Sequence, residues 1–295
     1  MTTDRTIEPR EVPLGGLRGL TVHRTLPSRP LPLVGAWCFV DHFGPTDHPM
    51  EVLPHPHIGL QTVTWPIVGS IRHRDSLGND VVLRPGELNL MTSGDGVSHS
   101  EFSDPGPMHG IQLWVALPDH RRRGPAGFEH HPDLPRVTGD GWEGVVLVGE
   151  FAGAASKATV HTPLVGVQLA LQAGRHEFEL DSRFEYGLLA VDGDATVAGE
   201  PVSHRSLHYL APGRAVLAVD VPKPTIVMLI GGEPFDEQIV MWWNFIGRSH
   251  DEVVEAREDW QALAPRFGRV EGHGDVVIPA PPMPHVRLRP RVRRD

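Results

Sequence analysis

The apolar residues of this chain come in short runs, and nearly every run stops at a glycine, proline, asparagine or aspartate. Residues 61–65, 70–74, 81–84 and 88–91 read as successive strands, with turns at 77–80 and at Pro85-Gly86. A second series follows at 145–148, 159–160, 165–171, 186–191, 215–219 and 225–230. Short strands at this spacing, divided by turn residues, predict an all-β sandwich or barrel. Glycine and proline together make up about a fifth of the 295 residues. Spread along the chain as they are, they supply turns rather than a disordered tract.

The polar stretch 118–144 separates the two series and reads as an interdomain connection. The halves carry a faint repeat. Ile67-Val68-Gly69-Ser70 resembles Val191-Asp192-Gly193-Asp194, and Pro85-Gly86 is expected to match Pro212-Gly213. One helix is expected at about 249–263. Ser249-His250-Asp251-Glu252 has the form of a capping box, Val253, Val254, Ala256, Trp260 and Leu263 give an apolar face, and Pro265 ends it. The segment after Pro265 is expected to pack back on a barrel through Val276, Val277, Ile278, Val286 and Leu288.

The formal net charge is -10, which gives no footprint for direct nucleic-acid binding. The arginine-rich run 286–294 reads as a solvated tail or late strand, or as a contact for an anionic partner. Cys38 is the single cysteine, so an internal disulfide and a thiolate cluster are both excluded. The first residues lack a signal-like apolar stretch, and no apolar run is long enough for a membrane helix. These features imply a cytoplasmic chain with no membrane partner, expected to be a monomer.

Two segments carry chemistry. Pro54-His55-Pro56-His57 places two imidazoles at i and i+2, on one face of a strand, where they can share an ion. Gly94-Asp95-Gly96-Val97-Ser98-His99-Ser100-Glu101 offers an imidazole and a carboxylate at the same spacing after a glycine-rich turn. An antiparallel barrel can bring the two pairs together. Three nitrogens and one carboxylate oxygen leave two places open on an octahedral ion, which suits non-haem iron or manganese. The plainer reading is of polar loop residues at a barrel mouth.

The block 54–101 resembles the pirin family of the cupin superfamily, as do 39–45, 109–115 and 229–234. The resemblance implies a bicupin, two cupin-type β-barrels of the double-stranded β-helix or jelly-roll kind with a short C-terminal helix. It implies a metal-binding first domain over 1–135 and a metal-free second over 136–295. It also implies that His55, His57, His99 and Glu101 hold one divalent metal, Fe(II) foremost, with Mn, Ni, Cu, Co or Zn as alternatives. Gln61 stands where many cupins carry a further glutamate. In the second half the positions matching the first histidine pair fall at Glu179 and Asp181, and His204 and His208 are expected on strand edges. The resemblance implies quercetin 2,3-dioxygenase chemistry, with a flavonol-like substrate, O2, and Glu101 as the base. The alternative it implies is a non-enzymatic, metal- or redox-dependent regulator of a transcription factor or metabolic enzyme.

Overall fold

The centre of the molecule is a pair of seven-stranded antiparallel sheets laid face to face. The structure is a computed structural model describing residues 3–14 and 20–291. Each large sheet curls with a four-stranded sheet into a barrel, so the all-β bicupin expectation holds. In the first barrel the large sheet runs Gly127–His131, Leu88–Thr92, Leu60–Val68, Met108–Ala116, Trp37–Thr46, Thr21–Leu26, Arg10–Pro13. Its small sheet runs Glu51–His57, Val97–Ser103, Ile71–Asp75, Asp80–Leu83. The second barrel repeats this order with Leu207–Leu210, Glu185–Asp192, Thr225–Gly232 and Leu164–Leu171 in its large sheet.

Burial explains the sequence pattern. Met108–Ala116 is buried at every position because one face looks into its barrel and the other meets the second barrel. Such a strand shows no alternation of apolar and solvent-facing positions, and even its polar members His109 and Gln112 are buried. The layer between the sheets joins Trp37, Val63, Trp65, Ile111 and Leu113 to Leu147, Leu189, Tyr209, Met228 and Ile230. Polar ties fix its register. The Trp37 indole donates to Gly231 O at 3.1 Å, the Trp65 indole donates to Gln168 at 2.7 Å, and Gly35 N donates to Glu185 at 2.6 Å. Gly35 has φ +52°, and a Cβ there would sit 2.8 Å from Gly232 Cα, so the close approach of the barrels requires glycine.

The barrel interiors differ. The second is filled by Phe178, Leu188, Val197, Leu217, Val219 and Leu229, an apolar core. Glu179 is exposed at a strand end and Asp181 lies beyond it in a turn. The first interior carries buried His55, His57, Thr64, His99 and Glu101.

Several expectations need correction. The stretch 118–144 is not a bare connection: Gly127–His131 adds an edge strand to the first barrel, and Arg136–Gly139 pairs with Trp142–Val148 in the second. Partial burial at the sheet edge accounts for its polar composition. Residues 159–160 are irregular. Strand Arg5–Ile7 crosses over to pair with Leu207–Leu210 of the second barrel, which no local pattern announced. Pro85-Gly86 precedes Leu88–Thr92, so its structural counterpart is the turn before Leu207, where Arg205 has φ +70°. Pro212-Gly213 instead precedes the small-sheet strand Val216–Val221 and matches the Gly94–Gly96 turn. His208 lies inside the sheet, buried, with Nδ1 3.0 Å from the Thr6 hydroxyl, while His204 sits in an exposed turn.

The helix spans His250–Gln261 and is the only α-helix among the described residues. The Ser249 hydroxyl accepts from Glu252 N, but the Glu252 carboxylate reaches one residue further than a capping box requires, accepting from Arg248 N at 2.7 Å. Val253, Ala256 and Trp260 are buried against the hairpin Val240–Trp242 and Phe245–Gly247, whereas Leu263 is exposed beyond the helix end. The tail after Pro265 does pack back. Ile278 N donates to Pro54 O at 2.8 Å, Ala280 is buried, and Val277 and Leu288 pack on the helix cluster. Val276 and Val286 are exposed, and 286–291 form no strand. Arg287 pairs with Asp251, and residues 292–294 of the arginine run lie outside the described residues. Among the described residues no helix is long and apolar enough to cross a membrane.

Candidate metal centre

Strands Glu51–His57 and Val97–Ser103 are neighbours in the small sheet, and their register sets His55 opposite His99. A bulge between His99 and Glu101 shifts the pairing there. Bulges re-aim side chains, and this one falls between the two candidate ligands. On its other side Val97–Ser103 pairs with Ile71–Asp75, which sets Glu101 opposite His73 and His99 opposite Asp75.

All four sequence-predicted residues are buried. The structure gathers them as two overlapping triplets, each able to hold an ion: His55 with His57 and His99, and His73 with His99 and Glu101. Within each triplet the donor atoms lie within 4.8 Å of one another. Glu101 therefore shares a group with His99, but not the tight group of the first histidine pair. Gln61 points elsewhere, donating to the Thr92 hydroxyl and to Thr159 O.

Hydrogen bonds settle the tautomers, because carbonyl oxygens can only accept. His55 Nδ1 donates to Leu53 O at 2.9 Å, and His57 Nδ1 donates to Asn244 O at 3.3 Å. Each ring then turns an Nε2 lone pair inward. Asp75 accepts from His73 Nε2 at 3.1 Å. His73 Nδ1 lies 3.4 Å from His99 Nδ1, so one of these two nitrogens donates and the other accepts. On the other side of its ring, His99 Nε2 faces His57 Nε2 across 3.1 Å. This contact is repulsive unless a proton or a cation lies between the nitrogens. Burial pushes the His55 imidazole down to about 4 and holds His57 and His99 well below their ordinary value, with the neighbouring rings adding to the effect. An additional proton on these rings is thus disfavoured at neutral pH, and the donor set fits a metal cation.

Glu101 accepts from the Thr64 hydroxyl at 2.8 Å. Burial raises its carboxyl above the ordinary range, against the opposing pull of His73 and Thr64. For Asp75 burial also pushes upward, but hydrogen bonds from His73 and Asn79 outweigh it and the net displacement is downward. Asp75 is therefore suited to stay ionised and orient His73, which in turn stacks on Phe128 at 4.5 Å.

A cavity of about 490 Å³ opens over His55, His57, His99 and Glu101. Phe39, Trp114, Trp242 and Trp243 supply aromatic walls, and Ile278 and Pro279 from the tail close one side. Asn244, whose carbonyl holds His57, follows Trp243 at φ +52°, a left-handed conformation at the tip of the docked hairpin. Sequence reasoning missed His73, Asp75, Thr64 and Asn244. The first two repeat the i, i+2 spacing of the recognised pairs, so that signal was present.

Comparisons with known proteins agree with this geometry. The family Pirin matches residues 19–115, and the Pirin C-terminal cupin domain matches 166–268. A Pseudomonas aeruginosa protein, whose name gives quercetin 2,3-dioxygenase as a provisional activity, is 44% identical over 94% of this chain and 90% of its own. A pirin-like protein of Caulobacter vibrioides is 34% identical over 94% of this chain and 99% of its own. The crystal structure of a quercetin 2,3-dioxygenase from Acinetobacter baumannii superposes with TM-score 0.93 at 42% identity, covering 98% of both chains. The fold, the buried histidine and glutamate cluster and these matches together establish that the chain belongs to the pirin family.

Proposed function

We propose that the protein is a metal-dependent dioxygenase that opens flavonol-like substrates with O2, and that His55, His57, His99 and Glu101 hold the ion, Fe(II) foremost. The observation that carries the metal assignment is the buried triplet of His55, His57 and His99, whose donor atoms lie within 4.8 Å of one another, with the Nε2 atoms of His57 and His99 3.1 Å apart. The names of the Pseudomonas and Acinetobacter relatives support the reaction class. The proposal treats 1–135 as the metal-bearing unit and 136–295 as the metal-free one.

A bound divalent cation would supply Lewis acidity toward an enolic hydroxyl and electron exchange with O2. The residues of the chain supply the rest. Glu101, raised by burial, is placed to take the hydroxyl proton, and Thr64 fixes its carboxylate by donating to Oε1. Trp114, Trp242 and Trp243 bring aromatic surface to the cavity for a flat substrate, with Trp114 backed by Phe39 stacked on it at 3.9 Å. Asp75 holds His73, and His73 in turn meets His99 Nδ1, which orients the His99 ring with Nε2 toward His57.

The test is elemental analysis of purified protein together with flavonol depletion and O2 uptake under air. Metal at one ion per chain with flavonol-dependent O2 uptake supports the proposal. Full metal occupancy without turnover removes the flavonol reaction and leaves the regulatory reading. Metal that persists after His55 and His57 are both changed to Ala removes the ligand assignment.

A further inference from the structure

We propose that the cavity over the candidate metal centre takes an aromatic acid, a flat ring system bearing an anionic oxygen group, with Arg10 and Arg291 receiving that group beside Arg24. This deepens the reading above, because it concerns the same cavity, but it rests on different residues.

The chain carries a net charge of -10, yet three arginines line this one cavity and its sole acidic lining residue is Glu101. Arg24 is already committed. It grips Asp41 through two bonds of 2.6 and 2.7 Å, and its guanidinium lies 4.2 Å over the Phe39 ring. Arg24 and Asp41 thus form a neutral, fixed pair. Arg10 spends one donor on Pro27 O at 3.1 Å, and neither Arg10 nor Arg291 forms a salt bridge among the described residues. Two guanidinium groups therefore share the cavity mouth with no carboxylate of their own. Burial and the other arginines lower both from their ordinary value, Arg10 through Arg24, and Arg291 through Arg10 and Arg24, with Asp41 opposing at Arg10. The three cations sense one another, and a bound anion would relieve that repulsion.

The rest of the lining defines the other end of the ligand. Phe39, Trp114, Trp242 and Trp243 present aromatic surface, and about 490 Å³ suits a small ring system rather than a polymer. Arg10, Arg24 and Arg291 come from two strands at the sheet edge and from the returning tail, so the mouth is assembled by folding. A planar guanidinium fork matches an oxyanion in two-bond geometry.

The experiment compares 3,4-dihydroxybenzoate with its neutral isostere 3,4-dihydroxybenzamide by calorimetric titration of the metal-loaded protein, without O2 and at low salt. The acid is expected to bind at least about tenfold more tightly, the scale of one charge-assisted contact. In the Arg10→Gln/Arg291→Gln double variant the ratio should fall close to one, and Lys at both positions should restore part of it. Metal content and the thermal transition of each variant report its folding. Equal affinities, preference for the amide, a preference that survives the double variant, or no binding of either compound at millimolar concentration would each overturn the inference. Acid binding without flavonol turnover would keep the inference and sink the flavonol reading. Flavonol turnover without acid preference would do the reverse.

Discussion

Asp75 accepts a hydrogen bond from His73 at 3.1 Å, and the far nitrogen of that ring meets His99 Nδ1 at 3.4 Å. Outer partners of this kind commonly set metal affinity within 10–100-fold. Asp75→Asn should therefore weaken metal retention by roughly 10–100-fold while the barrel stays folded. Competition against a chelator of known affinity measures this. Unchanged retention would show that His99 keeps its orientation without help.

Glu101→Gln keeps a coordinating oxygen and the bond from Thr64 but loses basicity. Metal content should stay near normal, and flavonol turnover should fall about 10²-fold, the usual scale for a lost general base. His99→Ala should lose metal and turnover together. Both are read by elemental analysis and O2 uptake at one pH. Full activity in Glu101→Gln would exclude Glu101 as the base.

A pH effect arises away from the centre. His42 is buried between the barrels, its Nε2 lies 2.7 Å from His109 Nε2, and its Nδ1 has no partner. Burial, then His109 and Arg205, bring its pKa down to about 2. The unfolded imidazole titrates near 6.5, so the unfolded state binds the proton first. The stability contributed by neutral His42 is present above pH 6.5 and is lost as pH falls toward 2, at about 1.4 kcal/mol per unit at most. Asn at position 42 should flatten the fall in unfolding free energy between pH 7 and 5. Denaturant titrations across that range test it, and identical slopes would count against the assignment.

Gly35 is expected to tolerate no side chain. With φ +52° and Gly232 Cα 2.8 Å from the added Cβ, Gly35→Ala combines backbone strain with a clash between barrels. A loss of about 1–3 kcal/mol follows from the strain alone. Chemical denaturation would detect it, and an unchanged midpoint would mean that the barrels separate there at little cost.

The clustering of His55, His57, His99 and Glu101 was legible in the sequence because two spacings of i, i+2 survive translation into strand faces. His73 and Asp75 share that spacing, but they alternate with Arg72 and Arg74, which pair outward with Asp80 and make the segment read as a solvent-facing hairpin. Asn244 acts through its backbone carbonyl, which no side-chain pattern can signal. Arg10, Arg24 and Arg291 meet only through tertiary folding, so no local period links them. Leu263 matched the helix period and still lies exposed, because the helix stops at Gln261 and the chain turns at φ +53°. The crossover of Arg5–Ile7 is likewise a long-range pairing made by a three-residue strand.

The hairpin and tail that close the cavity carry an ordering in time. The strands that carry the buried histidines are complete at Ser103, whereas the hairpin begins at Val240 and the tail reaches the cavity at Ile278. A ribosome adding about 5–20 residues per second needs on the order of ten seconds to cover that interval. During it the nascent first barrel is without Asn244 against His57 and without Ile278 over Pro54. The walls of the cavity are thus finished by the last segments to be made, long after the strands that carry its histidines.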